Sequence, residues 1–425
     1  MSRSALNAAR AQLFIAFRYL FGRSSKGERY LFAAAVGIAV SLIPIMVTLI
    51  VTDGMIQGIT ERFLELGTGH IQVRLAEENN EVGAIIKSEP GVRGVWNEID
   101  GIGIILGRNG KTGITIRAIE PSFWEDAGSK KYLSVISGEA NITDDGDVLL
   151  GSSLAKTTGA EIGKRIRIMS LRADEQGNAI PRTQLFTVRG IVSSGYHEID
   201  ALWCLVSYEA GKNLLDRAYA DSYYLVKIDE PFINADDTAR KINYDLRFFL
   251  RNVSTWKQVQ PAQYSSYETT RQLLLFIMTL IILIAAVNVS SATSMLVIER
   301  ERDIAVLKTY GAGPSGISNI FLSGSFLTGL TGALFGITLG LLFGININQI
   351  IRGIEKIANL FTKLFHANEI KLLDPDFYLQ TIPIVIDWNT VLFIGIFTVL
   401  CSIAASWFPA FRAGRAKPVD LLRKF

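Results

Sequence analysis

The stretch ERERDIAVLKTYGA, Glu299–Ala312, decides the fold because it stands between two long apolar runs, Leu273–Ile298 and Ile317–Ile345. Each run is long enough to cross a bilayer core about 30 Å thick. The stretch between them carries too many charges to lie in lipid. The sequence therefore predicts a short helix at the membrane surface that joins two spanning helices.

The apolar residues of this stretch predict that the helix has one apolar face. Ile304, Leu307 and Tyr310 recur at intervals of three residues, so we expect them to share that face. Gly311 and Gly313 follow and predict the end of the helix. A short helix that begins with charged residues and has one apolar face is typical of an element that couples two moving parts.

Composition places the chain among membrane proteins that also have a large part in water. Of its 425 residues 49% are hydrophobic, yet 20% are charged, and the mean hydropathy is +0.28. The net charge of +3 gives no reason to expect nucleic acid as a partner. The two cysteines and three histidines lack the spacing of metal ligands, so we predict neither a metal site nor a cofactor.

Charge-free segments and basic flanks predict four spans with both termini in the cytoplasm. Six cations against one acid precede the first span, and the positive-inside rule then places the next segment outside. The predicted organisation is a basic amphipathic arm at 1–30 on the membrane surface, spans at 31–52, 273–298, 317–345 and 390–410, an external domain at 53–272, a cytoplasmic coupling helix at 299–316, an external loop at 346–389 and a cytoplasmic tail at 411–425.

The external segment predicts an α+β domain divided by an insertion. Strand–helix–strand patterns occur near both its ends, and a strand-rich stretch at 136–220 interrupts them. We therefore expect a split β-α-β domain with a second domain inserted. The polar segment Leu171–Arg182, which contains Gly177 and Pro181, predicts a protruding hairpin tip, although an ordinary surface loop is the simpler interpretation.

Small residues follow a regular spacing in the third predicted span. Gly332, Gly336, Gly340 and Gly344 recur every fourth residue, so they form one flat stripe on a helix. Such a stripe lets another helix approach closely. We expect it to support assembly with a partner.

Motifs for an energy source or for catalysis are missing from the sequence. Asn109–Thr112 resembles the end of a phosphate-binding loop, but the first glycine of that motif is replaced by Ile105. The four predicted spans contain no charged residue that could relay protons. The hypothesis that follows is a non-enzymatic subunit whose coupling helix is gripped by a cytoplasmic ATPase.

Three segments carry a resemblance to a known family. They are ERERDIAVLKTYGAGPSGISNIFLSGSFLTGLTGALFG (from Glu299), LDPDFYLQTIPIVIDW (Leu373–Trp388) and SWFPAFRAGRAKPVDLLRKF (from Ser406). Together with the order of one span, a large external domain and three spans, they resemble the ABC transporter permeases of the MacB/FtsX superfamily. The second segment resembles the lipoprotein-releasing branch of LolC, LolE and LolF.

The resemblance implies a membrane α-helical protein with four transmembrane helices and a MacB-like periplasmic domain. A Porter-like part at 53–135 and 221–272 would hold a Sabre-like insertion at 136–220. The implied partners are a cytoplasmic LolD-like ATPase dimer, a second permease protomer in a homo- or heterodimer, a LolA-like periplasmic carrier, lipoprotein substrate and membrane lipids. The implied location is the bacterial inner membrane.

The resemblance also assigns roles to named residues. Those implied in ATPase coupling are Glu299, Arg302, Asp303, Ile304, Leu307 and Gly311. Those implied in a carrier-binding hairpin are Gln176, Gly177, Ile180 and Pro181. Two alternatives remain open, namely an FtsX-like regulator of a cell-wall hydrolase and a MacB-like efflux or peptide-export permease.

Overall fold

The computed structural model describes residues 26–76, 80–142, 144–364 and 381–416. These residues fall into two compact units. The membrane unit lies within Met1–Gly54, Glu268–Ile357 and Ile382–Phe425, and the strand-rich unit lies within Met55–Tyr267 and Ala358–Thr381. The basic arm up to residue 25, the tail from residue 417 and the start of the Leu373–Trp388 motif lie outside the described residues.

The regular elements are numbered along the chain. The helices are α1 (Lys26–Arg62), α2 (Asn80–Ser88), α3 (Ala127–Tyr132), α4 (Ser152–Thr158), α5 (His197–Leu202), α6 (Tyr208–Leu214), α7 (Pro231–Asp245), α8 (Trp256–Val259), α9 (Pro261–Glu299), α10 (Glu301–Thr309), α11 (Pro314–Ile345), α12 (Ile347–Leu364) and α13 (Trp388–Arg415). The strands are β1 (Ile71–Leu75), β2 (Val92–Leu106), β3 (Lys111–Ile119), β4 (Ser134–Gly138), β5 (Asp147–Gly151), β6 (Arg165–Ala173), β7 (Ala179–Ser193), β8 (Trp203–Ser207), β9 (Ala220–Ile228) and β10 (Leu250–Thr255). A π-helical turn at Phe63–Thr68 continues α1, and a 3₁₀ turn occupies Pro121–Glu125.

Within the described residues, four helices are long and apolar enough to cross a membrane: α1, α9, α11 and α13. They contain the four predicted spans, and the predicted fold class of four spanning helices with an α+β domain is confirmed. The predicted coupling helix is shorter than expected. Because α9 continues through Glu299, the separate helix begins only at Glu301, and it ends at Thr309.

The glycine stripe of α11 packs against α1 of the same chain. A Cβ atom at Gly336 would lie 2.8 Å from the Cβ of Leu42 and 2.9 Å from the backbone of Ala39. Gly332 and Gly340 approach Ile38 and Met46 in the same way. The expectation that this stripe serves assembly with a partner is therefore corrected, because α1 already occupies it.

Polar groups add specific contacts between the spans. The Thr293 hydroxyl on α9 lies 3.0 Å from the Ser325 hydroxyl on α11 and 3.2 Å from the Ser406 hydroxyl on α13. All three side chains are buried. Since lipid offers no hydrophobic drive for helix association, close packing of small residues and hydrogen bonds of this kind hold the bundle together.

The strand-rich unit is built on one ten-stranded sheet in the order β10-β1-β9-β2-β3-β8-β5-β7-β4, with β6 paired to β2 and β7. The two predicted strand–helix–strand pieces are present as β1-α2-β2 and β9-α7-β10, and they interleave at one end of the sheet. The long strand β2 pairs with β9, β3 and β6, so it joins the predicted split domain to the predicted insertion without a break in hydrogen bonding.

The core of the strand-rich unit consists of separate hydrophobic clusters, whereas its sheet is continuous. One cluster around Val73, Val226 and Trp256 lies under the interleaved pieces, and another around Ile116, Leu150 and Val206 lies under the insertion. A third cluster, with Phe123 and Trp203, packs against Leu66 from the turn after α1. The second cluster includes Ile99 and Ile116 from 53–135 as well as residues of the insertion, so core packing and backbone pairing both cross the predicted domain boundary.

Replacing Gly336 by leucine should destabilise the membrane unit, because a side chain at this position has no space beside Ala39 and Leu42. We expect a loss of about 1–3 kcal/mol, typical of overpacking. The measurement is unfolding of the purified protein in detergent. Gly37→Leu is the matched control, since no atom lies within 4 Å of a Cβ built there. Equal stability of both variants would contradict the assignment.

Candidate functional site: the stalk junction and the coupling helix

The end of α1 and the turn that follows it, which we call the stalk end (Arg62–Gly69), are embedded in the strand-rich unit. Leu64 and Leu66 are almost fully buried. The chain leaves the turn through Gly69. Its φ of +66° is a conformation that glycine adopts readily and other residues adopt only with strain. A side chain there would also meet Leu225 at 2.6 Å. The backbone thus enters β1 by a tight turn against the sheet.

Arg117 binds the carbonyl end of this turn from inside the sheet. Its Nη2 donates to the Gly67 carbonyl at 3.0 Å, and its Nη1 donates to the Leu66 carbonyl. Its Nε donates to Glu98 on β2 at 2.6 Å, and both side chains are nearly inaccessible to solvent. The guanidinium also stacks on Trp203 at 4.5 Å. A cation at the negative end of a helical segment is favourable, and more so in a partly buried site.

Lys227, a fully buried lysine on β9, makes the second connection. Its Nζ donates to Asp126 at 2.8 Å and to the Ser129 hydroxyl at 2.8 Å, and it lies 3.2 Å from Glu65 of the stalk end. The ammonium also lies 4.4 Å from the centre of the Phe123 ring. Asp126 caps α3 through the Ser129 amide, so one lysine ties the stalk end to a neighbouring helix.

Two carboxylates of this cluster, Glu65 and Asp126, are held in their charged form. Burial acts to raise the pKa of Glu65, but hydrogen bonding with His70, the charge of Lys227 and two hydrogen bonds from Arg93 outweigh it, so the pKa is well below its ordinary value. The pKa of Asp126 is also lowered, since Lys227 outweighs burial. Burial lowers the pKa of Lys227, and Asp126 and Glu65 oppose that effect.

We call Glu65, Arg93, Glu98, Arg117, Asp126 and Lys227 the stalk junction. Its chemistry is that of a rigid joint, because Arg117 and Lys227 keep all of their partners only while the stalk end stays against the sheet. None of these residues is predicted from the sequence. The available signal was a single charge inside an apolar strand, as in ITIRAI around Arg117 and YYLVKI around Lys227.

The coupling helix α10 is attached to the membrane unit by its apolar side. Ile304 and Ala305 are buried in a cluster with Ile317, Phe321 and Ala410, which belong to α11 and α13. Lys308 Nζ donates to the Gly414 carbonyl at 2.8 Å and also to the Ala416 carbonyl at the end of α13. A force applied to α10 would therefore reach two spans directly.

The predicted apolar face of the coupling helix needs correction. Ile304 is 2% exposed, Leu307 is half-buried and Tyr310 is 88% exposed, so these residues do not share one environment. Positions six residues apart differ by about 120° on an α-helix, which turns Tyr310 away from the core. The remaining implied coupling residues are exposed (Glu299, Arg302, Gly311) or paired (Asp303, with Arg300 at 3.0 Å).

The segment predicted as a hairpin tip connects β6 and β7. Leu171 pairs with Pro181 and Arg172 with Ile180 in the antiparallel ladder. Asp174 closes the turn by accepting from the Gln176 and Asn178 amides, and Gly177 has a φ of +83°. Gln176, Gly177, Ile180 and Pro181 are all exposed, so the structure brings these four predicted residues together at one tip.

Among the described residues, no group of three or more His, Cys, Asp or Glu side chains could hold a metal ion.

Comparison with known families assigns both units. The MacB-like periplasmic core domain matches residues 31–241, and the FtsX-like permease C-terminal domain matches residues 275–418. The chain belongs to the superfamily of MacB- and FtsX-type ABC transporter permeases. It is therefore a membrane protein of a class that works with an ATPase partner.

Relatives of known name are similar over nearly the whole chain. Lipoprotein-releasing system transmembrane protein LolC of Xylella fastidiosa (strain 9a5c) is 27% identical, covering 96% of this chain and 98% of its own. The LolE protein of Haemophilus influenzae is 23% identical, covering 96% and 98%. The periplasmic region of MacB from Actinobacillus actinomycetemcomitans aligns with a TM-score of 0.31 at 15% identity, covering 48% of this chain and 96% of its own.

Replacing Lys227 by methionine should destabilise the strand-rich unit by up to about 3–5 kcal/mol, since it removes the buried cation and leaves Glu65 and Asp126 with the partly exposed Arg93. Hydrogen exchange of the β9 amides in the purified protein measures the loss. Lys241→Met is the matched control, because Lys241 is exposed on α7. Similar exchange in both variants would contradict a stabilising role for the junction.

Stability of the same unit should fall with acid. Glu65 has a depressed pKa, so its contribution is present above its ordinary value of 4.5 and is lost as the pH falls below it. We expect β9 amides to exchange faster relative to the intrinsic rate below about pH 4.5. This dependence should be shallower in Lys227→Met, because the charge that lowers the pKa of Glu65 is gone.

Proposed function

We propose that this chain is an inner-membrane permease subunit of an ATP-driven lipoprotein-releasing transporter. It would act with a cytoplasmic ATPase dimer and a second permease protomer, and it would pass triacylated lipoprotein to a periplasmic carrier. Near-full-length similarity to LolC and LolE proteins carries the proposal. In this assignment the termini and α10 are cytoplasmic, and the strand-rich unit is periplasmic.

The ATPase would bind the exposed side of the coupling helix. Val306 and Tyr310 are large, exposed side chains one turn apart, and Arg302 is exposed on the turn before them. We assign docking to these three residues rather than to Ile304, which is enclosed by α11 and α13. Exposed aromatic residues beside an arginine are the side chains most often found at energetic centres of interfaces.

Motion would then pass along α1 to the strand-rich unit. The glycine stripe holds α11 against α1 within the membrane unit, and α11 packs against the coupling helix. The same α1 runs from Lys26 to Arg62 as one helix. At its end the stalk junction would prevent slippage between the stalk end and the sheet, because separation would take the Leu66 and Gly67 carbonyls from Arg117 and the Glu65 carboxylate from Lys227.

The β6–β7 hairpin would hold the carrier. Its tip exposes Leu171, Ile180 and Pro181 and needs no rearrangement to offer them. A two-stranded ribbon with a closed turn is preorganised, which lowers the entropy cost of binding. The role of Gln176, Gly177, Ile180 and Pro181 in carrier binding is part of this proposal.

Replacing Tyr310 by alanine should weaken ATPase binding by about 2 kcal/mol, or roughly thirtyfold, the loss typical of an interface hot spot. The assay is copurification of the ATPase and its stimulated ATP turnover. Tyr244→Ala, at another exposed tyrosine in the strand-rich unit, is the control. Unchanged copurification of Tyr310→Ala would overturn the assignment of the docking face.

The transport function is tested with the reconstituted complex in nanodiscs. We expect triacylated lipoprotein to copurify without nucleotide and to move to the carrier when ATP is added. Ile180→Asp should abolish transfer while ATP turnover continues, whereas Thr183→Asp in the same strand should transfer normally. Absence of lipoprotein, or activation of a cell-wall hydrolase instead, would refute lipoprotein release; normal transfer by Ile180→Asp would refute only the hairpin role.

A further inference from the structure

Helix α12 has the most sharply divided surface among the described helices, and neither the stalk junction nor the coupling helix uses it. Its sequence, INQIIRGIEKIANLFTKL, places isoleucines at 347, 350, 351, 354 and 357. At helical spacing these residues fall within one stripe about 120° wide, and Arg352 and Lys356 lie on the opposite side. Ile354 is 51% and Ile357 is 59% exposed, so no element among the described residues covers the stripe at these positions.

The apolar stripe continues the exposed surface of a membrane span. Only Asn346 separates α12 from α11, and it ends α11 by donating from its side-chain amide to the Leu342 carbonyl at 2.8 Å. The last turn of α11 exposes Leu342, Phe343 and Ile345, whereas the glycine stripe of the same helix faces α1. Since a spanning helix presents such residues to lipid, the exposed isoleucines of α12 would extend that lipid-facing surface.

The start of α12 is held at the level where the last span begins. Asn348 donates to the Ile382 carbonyl at 2.9 Å and accepts from the Ile382 amide at 3.0 Å. Six residues later α13 begins with Trp388, which is 65% exposed. Exposed tryptophans at the ends of spanning helices are typical of the headgroup region. The first turn of α12 is therefore placed near that region.

We infer that α12 lies in the lipid headgroup region, on the side of the membrane that carries the strand-rich unit, with its isoleucine stripe in the acyl boundary. Arg352 and Lys356 are exposed on its polar side, as expected for an interfacial helix that meets anionic lipid. A second copy of the chain would also need an apolar face, but continuity with the lipid-facing surface of α11 favours lipid. The helix would fix the depth at which α11 ends.

The test places a fluorescent label on either side of α12 in the full chain. Ile357→Cys and Lys356→Cys are adjacent in sequence and about 100° apart around the helix, one on the apolar stripe and one on the polar side, so each controls for the other. Cys401 is replaced by alanine in both. Cys204 stays, because it is fully buried and burial raises the pKa of its thiol, which keeps it unlabelled at neutral pH.

The labelled proteins are measured in nanodiscs of phosphatidylethanolamine and phosphatidylglycerol. We expect the label at 357 to be quenched several-fold more by lipids with a nitroxide near the headgroup than by aqueous iodide, and the label at 356 to show the reverse. Iodide quenching of both labels would overturn the proposal. Protection at 357 from both quenchers would also overturn it and would indicate a protein surface, such as a second copy, over the stripe.

Discussion

Two cations buried in the strand-rich sheet, Arg117 and Lys227, constrain the rest of that unit because losing their partners would cost much of its free energy of folding. Removing one partner from a buried ion pair costs about 3–5 kcal/mol, a large part of the stability of a typical domain. Their partners include Glu65 and the carbonyls of Leu66 and Gly67, all at the stalk end. The sheet and the stalk end therefore form one mechanical body.

The membrane unit reaches rigidity by different means, since buried charge is too costly in lipid. Glycines bring α11 against α1, and hydroxyl groups connect α9, α11 and α13. The coupling helix belongs to the same body, because Ile304 and Ala305 are part of its core and Lys308 binds the end of α13. Each unit thus holds one such element rigidly, the coupling helix in the membrane unit and the stalk end in the strand-rich unit. Helix α1 contributes residues to both units.

Sequence reasoning succeeded where a local pattern decides the structure. The charge-free runs identified the spans, because length and hydropathy alone determine whether a helix can cross lipid. Alternating strands and Gly177 identified the β6–β7 hairpin, since its partners are close in sequence. It failed where the neighbour is distant: the glycine stripe was assigned to a partner, whereas Ile38, Leu42 and Met46 of the same chain fill it.

The sequence by itself determined the number of spans, the α+β character of the domain, the hairpin and the family. Only the tertiary structure decided that Ile304 is enclosed while Tyr310 is free, because a helical pattern gives relative angles but not which side meets the core. Only the structure paired Arg117 with the stalk end fifty residues away. A lone charge in an apolar strand signals a partner, but its identity depends on which segments the fold brings within hydrogen-bond distance.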